Sequence, residues 1–325
     1  MRVFLTGAAS PLGRALIEIL RQRGDAVVGQ VRRRGGVSVL RKLGAEPVSS
    51  DLTRYRVLAD AMSGCDLVIH LAQFFDFWAP RPLMFHAVNV YGTENTLAAA
   101  AEAGVRRVVH TSTSLTIGEQ PGYWGTERTR HRGWTLTAFE RSKLAAEQSV
   151  MRHRTRKLEV VVVNPGLVVA SGDPGWLGRQ IADFASGRRR TASDVPMGWI
   201  SAQDAATGIA LAGERGVDGA RYILSGDTLT PLEFFGRVTK MAGQRPPVAA
   251  RKRAMMATAA LSSAAAAIFG GRPRVPMDEA RFASTGFRVD GSHACLALGV
   301  HYTPVARYLP SIVASYRATA RFASA

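Results

Sequence analysis

Short apolar runs alternate with longer amphipathic stretches through the first half of the chain. Residues 3–5, 26–31, 67–71, 107–111 and 160–163 are β-branched segments of strand length. Between them, residues 12–23, 90–103 and 137–154 place apolar side chains at helical spacing. Buried strands separated by helices predict βαβ units, and so a parallel sheet with helices on both faces and right-handed crossovers. The expected class is α/β, a doubly wound parallel sheet. From about Ala170 the rhythm weakens: residues 221–224 still read as a strand, but glycine, proline and arginine become frequent. An alanine-rich segment and a terminal helix around residues 305–318 close the chain. The organisation expected is a nucleotide-binding domain over 1–170, with 195–225 returning to it. A smaller, interleaved substrate-binding cap occupies 171–325.

The first strand runs into Thr6-Gly7-Ala8-Ala9-Ser10-Pro11-Leu12-Gly13. Gly7 permits a tight turn and Gly13 a close approach of helix to strand. The helix N-terminus, where Ser10, Pro11 and Leu12 stand, offers unpaired N–H groups (Pro11 itself has none) and a positive dipole end to a pyrophosphate. Strand before and helix after make this the turn of a Rossmann-type domain. Chains of that type that bind NAD carry an acid at the end of the second strand, where it holds the ribose 2′-hydroxyl. Here the strand ends Gln30-Val31-Arg32-Arg33-Arg34, without an acid. A guanidinium grips a 2′-phosphate with paired hydrogen bonds. NADP(H) is therefore the expected cofactor, with Arg32 as first contact and Arg33 behind it.

Charge adds less than its size suggests. The net charge is +17, and only five of the 42 cations are lysines. The arginines are spread in short runs, with no zinc-finger spacing or basic zipper, so no nucleic-acid partner is expected. With 46% hydrophobic and 21% charged residues the composition is that of a globular protein, not a disordered or fibrous one. Cys65 and Cys295 are too few and too distant for a disulfide framework or a metal site, and none is expected. The longest apolar run, 254–269, is shorter than the ~20 residues of a spanning helix. It is preceded by Arg251-Lys252-Arg253, which suits a cap helix or a helix making weak contact with a membrane surface. Met1 leads straight into a strand with no secretory signal, and a cytoplasmic setting is expected.

Taken in order, these motifs resemble the extended short-chain dehydrogenase/reductase family, nearest to its dihydroflavonol-reductase and 3β-hydroxysteroid-dehydrogenase-like branches. Thr6 to Gly13 is similar to that family's TGxxGxxG, with Ser10 in place of the middle glycine. Ser50-Asp51-Leu52-Thr53 resembles GDLTD, whose Asp and Leu flank the adenine. Val68-Ile69-His70-Leu71-Ala72 resembles the strand ending beside the cofactor, and Asn89 to Asn95 the NVxGTxN helix start. In Arg107 to Thr113, counting back five from Gly118 gives Thr113 as the counterpart of the catalytic Ser or Thr. Asn164-Pro165-Gly166 resembles the turn near the nicotinamide, and residues 287–290 and 298–316 the closing segment.

The resemblance implies a catalytic Tyr and Lys four residues apart on one helix, the lysine lowering the phenol's pKa and binding the nicotinamide ribose. This chain has Phe139-Glu140-Arg141-Ser142-Lys143. Lys143 is present, and Phe139 keeps the tyrosine's shape without its proton. Three readings follow. The chain is an NADP(H)-dependent reductase with a substitute proton path through Thr113 and a water held by Lys143, or through Tyr91, Tyr123, His110 or His131. Alternatively it performs isomerisation, dehydration or cyclisation, or it binds NADP(H) as a sensor without turnover. Phe74, Phe75, Phe77 and Trp78 follow the fourth strand, Trp124 and Trp134 precede the Phe139 helix, and Trp176 and Trp199 come later. Aromatic residues at strand ends favour a small but bulky hydrophobic substrate of lipid, steroid or polyketide type. Homodimers are common in the family, which makes a second copy an expected partner.

Overall fold

The computed structural model describes residues 1–322, with side chains as far as Tyr316. The first part of the chain runs β1 (Arg2–Thr6), α1 (Pro11–Gln22), β2 (Ala26–Val31), α2 (Arg34–Lys42), β3 (Glu46–Ser49), α3 (Tyr55–Met62) and β4 (Leu67–His70). It continues through α4 (Leu83–His86), α5 (Gly92–Glu102), β5 (Arg107–Thr111), α6 (Ala138–His153) and β6 (Glu159–Pro165). Then come β7 (Leu167–Val169), α7 (Trp176–Ala185), β8 (Thr191–Ala192), β9 (Met197–Ser201), α8 (Ala202–Arg215), β10 (Arg221–Leu224) and β11 (Thr228–Leu229). The rest is α9 (Pro231–Ala242), β12 (Val248–Ala249), α10 (Lys252–Phe269), α11 (Met277–Thr285), α12 (Ser292–Leu298) and α13 (Val305–Phe322).

Seven strands form one parallel sheet in the order β10-β6-β5-β4-β1-β2-β3. This is the doubly wound α/β sheet that the alternating pattern predicts. The order reverses between β1 and β4, where Leu5 pairs with Ile69 and Thr6 with His70. Crossovers leave in opposite directions there, opening a crevice at the carboxyl ends of the strands. One face of the sheet is covered by α1 and α8, with Leu16, Ile17, Leu20, Ile209 and Ala212 in its core. The other is covered by α3 and α5, around Leu58, Met62, Leu97 and Val108.

A second, aromatic core is built mainly by the C-terminal part, with Phe77, Phe85 and Phe139 joining it from the first half. Trp199 stacks on Phe234 at 3.9 Å between ring centroids, and Phe184 on Phe235 at 4.1 Å. Beside them Trp176 packs edge to face on both Phe77 and Phe282, whose own rings meet at a 31° tilt. A small sheet, β11-β9-β7, continues from β6 and joins this core to the crevice. Among the described residues no helix is long and apolar enough to cross a membrane.

Candidate active site

The β1–α1 turn is shaped by steric necessity. Gly7 has φ +67, and a Cβ there would sit 2.9 Å from the backbone nitrogen of Ala72, so only glycine lets the turn lie against the end of β4. The same nitrogen donates to Thr6 Oγ1 at 3.2 Å, tying the two strand ends together. At Gly13 a Cβ would come within 2.6 Å of the Gly7 and Ala8 carbonyl oxygens. Ser10, which stands where the related motif has glycine, is the N-cap of α1: its Oγ accepts from the Gly13 N–H at 3.0 Å, and Pro11 follows at the first helical position.

A cleft of about 590 Å³ opens from this turn along the strand ends. Gly7, Ser10, Pro11, Leu12, Arg32, Asp51, Leu52, Leu71, Ala72, Thr113, Phe139, Pro165 and Gly166 all line it. At one end Gln30 braces the turn, accepting from Gly7 N–H at 3.4 Å and donating to the Ser50 carbonyl. The Asp51 carboxyl is held below its usual range by the Thr53 N–H and hydroxyl and by the nearby Arg32, against a smaller rise from burial than the Thr53 N–H overcomes. Arg32 is thus an exposed cation on the rim beside the expected adenine-ribose position.

Four of the anticipated residues do not line the cleft. Gly13 lies under the turn, and Arg33 precedes α2 as an exposed residue. Asn164 is fully buried: its side-chain N–H groups reach the Thr113 carbonyl at 3.1 Å, Thr116 Oγ1 at 2.9 Å and Glu147 Oε1 at 2.7 Å. Lys143 is 1% exposed and donates from Nζ to the Thr111 carbonyl at 2.8 Å. Instead of standing over the cleft, its ammonium sits behind the wall, because the Thr111 carbonyl satisfies it there. Burial pushes the Lys143 pKa down to about 7, with Glu147 pulling the other way.

At this end Thr113, two residues past β5, is extended and caps a short 3₁₀ turn, its Oγ1 accepting from Leu115 N–H at 3.4 Å. Thr111 also borders the cleft, and its buried Oγ1 has no hydrogen-bond partner. Phe139, in the first turn of α6, meets Phe75 edge to face at 4.7 Å. Thr137 fixes that turn, accepting from Glu140 N–H at 3.0 Å. The wall at the catalytic position is therefore apolar.

The alternative proton donors are elsewhere. Tyr91 and Tyr123 are exposed and outside the cleft; His131 packs on Gly118. His110 is fully buried, stacked on His70, and burial holds both imidazoles neutral, His70 at about 3. Among the aromatic residues, Phe74 and Phe75 line the cleft, whereas Trp124 and Trp134 are exposed away from it and Trp199 belongs to the cap core. Sequence reasoning missed Gln30, the Thr111 hydroxyl, and the Glu147 carboxylate that accepts from Asn164 and Arg221. Glu147 stands four residues after Lys143 on the same helix face, a spacing that points to it.

Comparison with known proteins places these features in context. A profile of the NAD dependent epimerase/dehydratase family matches residues 3–224. Sterol demethylase protein B of Methylococcus capsulatus is 31% identical over 328 residues, 98% of each chain. A 4-hydroxy-2-methyl-3-oxo-4-farnesyl-3,4-dihydroquinoline-1-oxide ketoreductase of Stigmatella aurantiaca is 30% identical, over 72% of this chain and 71% of its own. The crystal structure of gox2253 superposes with a TM-score of 0.83 at 29% identity, covering 98% of both chains.

Proposed function

This chain belongs to the NAD dependent epimerase/dehydratase family, within the extended short-chain dehydrogenases/reductases, and from that premise we propose that it is an NADP(H)-dependent oxidoreductase acting on the carbonyl or hydroxyl of a bulky hydrophobic substrate. The observation that carries this reading is the single cleft joining a diphosphate-type turn, a rim arginine and an aromatic wall. The fit to a dinucleotide rests on the geometry of the turn: the space that a Cβ would fill at Gly7, and the Leu12 N–H at the start of α1, left unpaired among the described residues while Ser10 N–H donates to the Gly7 carbonyl and Gly13 N–H to Ser10 Oγ. Gly7, Ser10, Pro11 and Leu12 would hold the diphosphate, Asp51 and Leu52 the adenosine, Arg32 the 2′-phosphate, and Leu71, Ala72, Pro165 and Gly166 the nicotinamide half. The nicotinamide, when bound, supplies or accepts the hydride.

The protein's own part is orientation and protonation. The Thr113 hydroxyl orients the substrate oxygen. Phe139 and Phe75 exclude water on one side and bind apolar surface. With no phenol in the wall, the proton comes from Lys143, whose pKa of about 7 makes it able to give one near neutrality. The proton's route to the cleft passes Thr111, whose backbone carbonyl accepts from Lys143 Nζ and whose buried hydroxyl has no protein partner. The relatives named a sterol demethylase protein and a farnesyl-quinoline ketoreductase favour a lipid-like substrate.

Phe139 itself favours a second reading, non-redox chemistry in the same cleft, since it removes the family's proton donor. Restoring the phenol separates the two. Phe139→Tyr is assayed by NADPH oxidation against a panel of hydrophobic ketones. A gain of about 10²-fold or more in turnover is expected, the usual worth of a placed general acid. No NADPH oxidation by either protein would overturn the reductase reading.

A further inference from the structure

The cap contains a second cavity, of about 460 Å³, within the ~300–1,000 Å³ usual for small-molecule sites. Leu167 and Phe282 border both this cavity and the cleft, so the two spaces lie side by side with those side chains as the partition. Its floor is buried and aromatic, built from Trp176, Phe184, Trp199 and Phe235. Its rim is exposed: Arg251, Ala254 and Thr258 border the opening where α10 begins. Over its 18 residues α10 buries only Ala259, and it rests on α11, so the roof over the cavity is one helix thick.

Two observations specify what would fill it. Trp176 is 8% exposed, and its indole N–H has no acceptor. A buried donor without a partner carries a desolvation penalty that a ligand oxygen would remove. At the rim, Arg251 makes no ion pair among the described residues, while Arg189, also bordering the cavity, is shared with Glu279 at 3.2 Å. The buried Gln180 and Ser193 also line the chamber, as does the Glu279 carboxylate that Arg189 offsets; with the unpaired Trp176 donor inside and a free cation at its mouth, the chamber matches an amphiphile with an anionic end.

We propose that this cavity binds a long-chain carboxylate bearing an oxygen along its chain, a hydroxy or oxo fatty acid. The carboxylate sits at Arg251, the hydrocarbon lies against the aromatic floor, and the chain oxygen accepts from the Trp176 indole. The site is separate from the proposed redox chemistry, and its test reads binding alone.

The test uses the full chain and monomeric 9,10-dibromostearate, whose bromines quench tryptophan on contact; Trp176 and Trp199 line the cavity. Saturable quenching is expected. Phenylalanine at the exposed rim, Ala254→Phe with Thr258→Phe, should abolish it without changing the melting temperature. Arg251→Glu should weaken it by about 2–5-fold, the value of an exposed charge contact. In competition, 12-hydroxystearate should displace the probe at lower concentration than stearate, and Trp176→Phe should erase that difference, with Trp199 still reporting. Absence of quenching, or quenching indifferent to the rim variants, would overturn the assignment. So would quenching seen only with vesicles of brominated phosphatidylglycerol and unchanged by Ala254→Phe, which would place α10 on a bilayer.

Discussion

Replacing Arg32 by alanine tests the assignment of cofactor. Arg32 directly follows β2 at the rim of the cleft, beside Asp51, and no acid stands in the position that would favour a free ribose hydroxyl. Hydrogen bonds to charged groups contribute about 1.5–3 kcal/mol. The side chain is exposed, which brings the expected loss to the lower end of that range, roughly tenfold in affinity. NADH has no 2′-phosphate, so its binding should change little. Titration of nicotinamide fluorescence with each cofactor, native against variant, gives both numbers. The NADPH preference should also shrink with added salt, because contacts to a rim charge are screened within ~10 Å at 0.1 M. Arg32→Asp should reverse the preference by placing an acid where the ribose hydroxyl would sit. An unchanged NADPH-to-NADH ratio in Arg32→Ala would refute the placement of the 2′-phosphate.

The catalytic end gives two further expectations. Thr113→Ala should lower kcat by about 10²-fold, the usual effect of losing one donor to a reacting oxygen, with KM nearly unchanged and the fold intact by circular dichroism. Lys143 sets pH behaviour in both stability and rate. Its folded pKa, about 7, lies below the ordinary 10.5, so between those values the unfolded chain holds more protons and stability from this group rises with pH. Lys143→Met should therefore remove a destabilisation that is largest at and below pH 7 and fades toward pH 10, so the variant's advantage in urea titrations shrinks as pH rises. Reductive turnover should run the other way, falling as pH rises through about 7 and the donor loses its proton.

The parts of the fold that were legible in the sequence are those buried on both faces. Strands β1, β2, β4, β5 and β6 are continuous apolar runs because helices cover both sides of the sheet. β3 escaped notice: Glu46–Ser49 is a four-residue edge strand with Pro47 inside it and little burial, leaving no apolar signature. Its neighbours α2 and α3 were equally silent, each burying few residues. The β1–α1 turn was readable because Gly7 and Gly13 answer to backbone clearances of under 3 Å, which no other residue meets.

The catalytic end was readable in identity but not in placement. The i, i+4 spacing puts Phe139 and Lys143 on one helix face, yet the depth at which that face is buried follows from packing against β5, which spacing does not encode. So Lys143 reaches the Thr111 carbonyl behind the wall. The aromatic residues show the same limit. Trp124 and Trp199 look alike along the chain, but one is exposed on a loop and the other fills the cap core. The cavity beneath α10 is invisible in sequence because its lining comes from α7, β9, α9, α10 and α11 together.

Transfer of a label from the cofactor to a substrate carbon addresses the central claim most directly. The native protein is incubated with a bulky hydrophobic ketone and NADPH deuterated at C4 of the nicotinamide, using both stereoisomers in turn. Product is then read by mass spectrometry. One isomer should deliver a single carbon-bound deuterium into an alcohol, at a rate that falls above pH 7 and vanishes with Lys143→Met. A converted product without deuterium, with the cofactor unconsumed, would contradict hydride transfer and assign the cleft to non-redox chemistry.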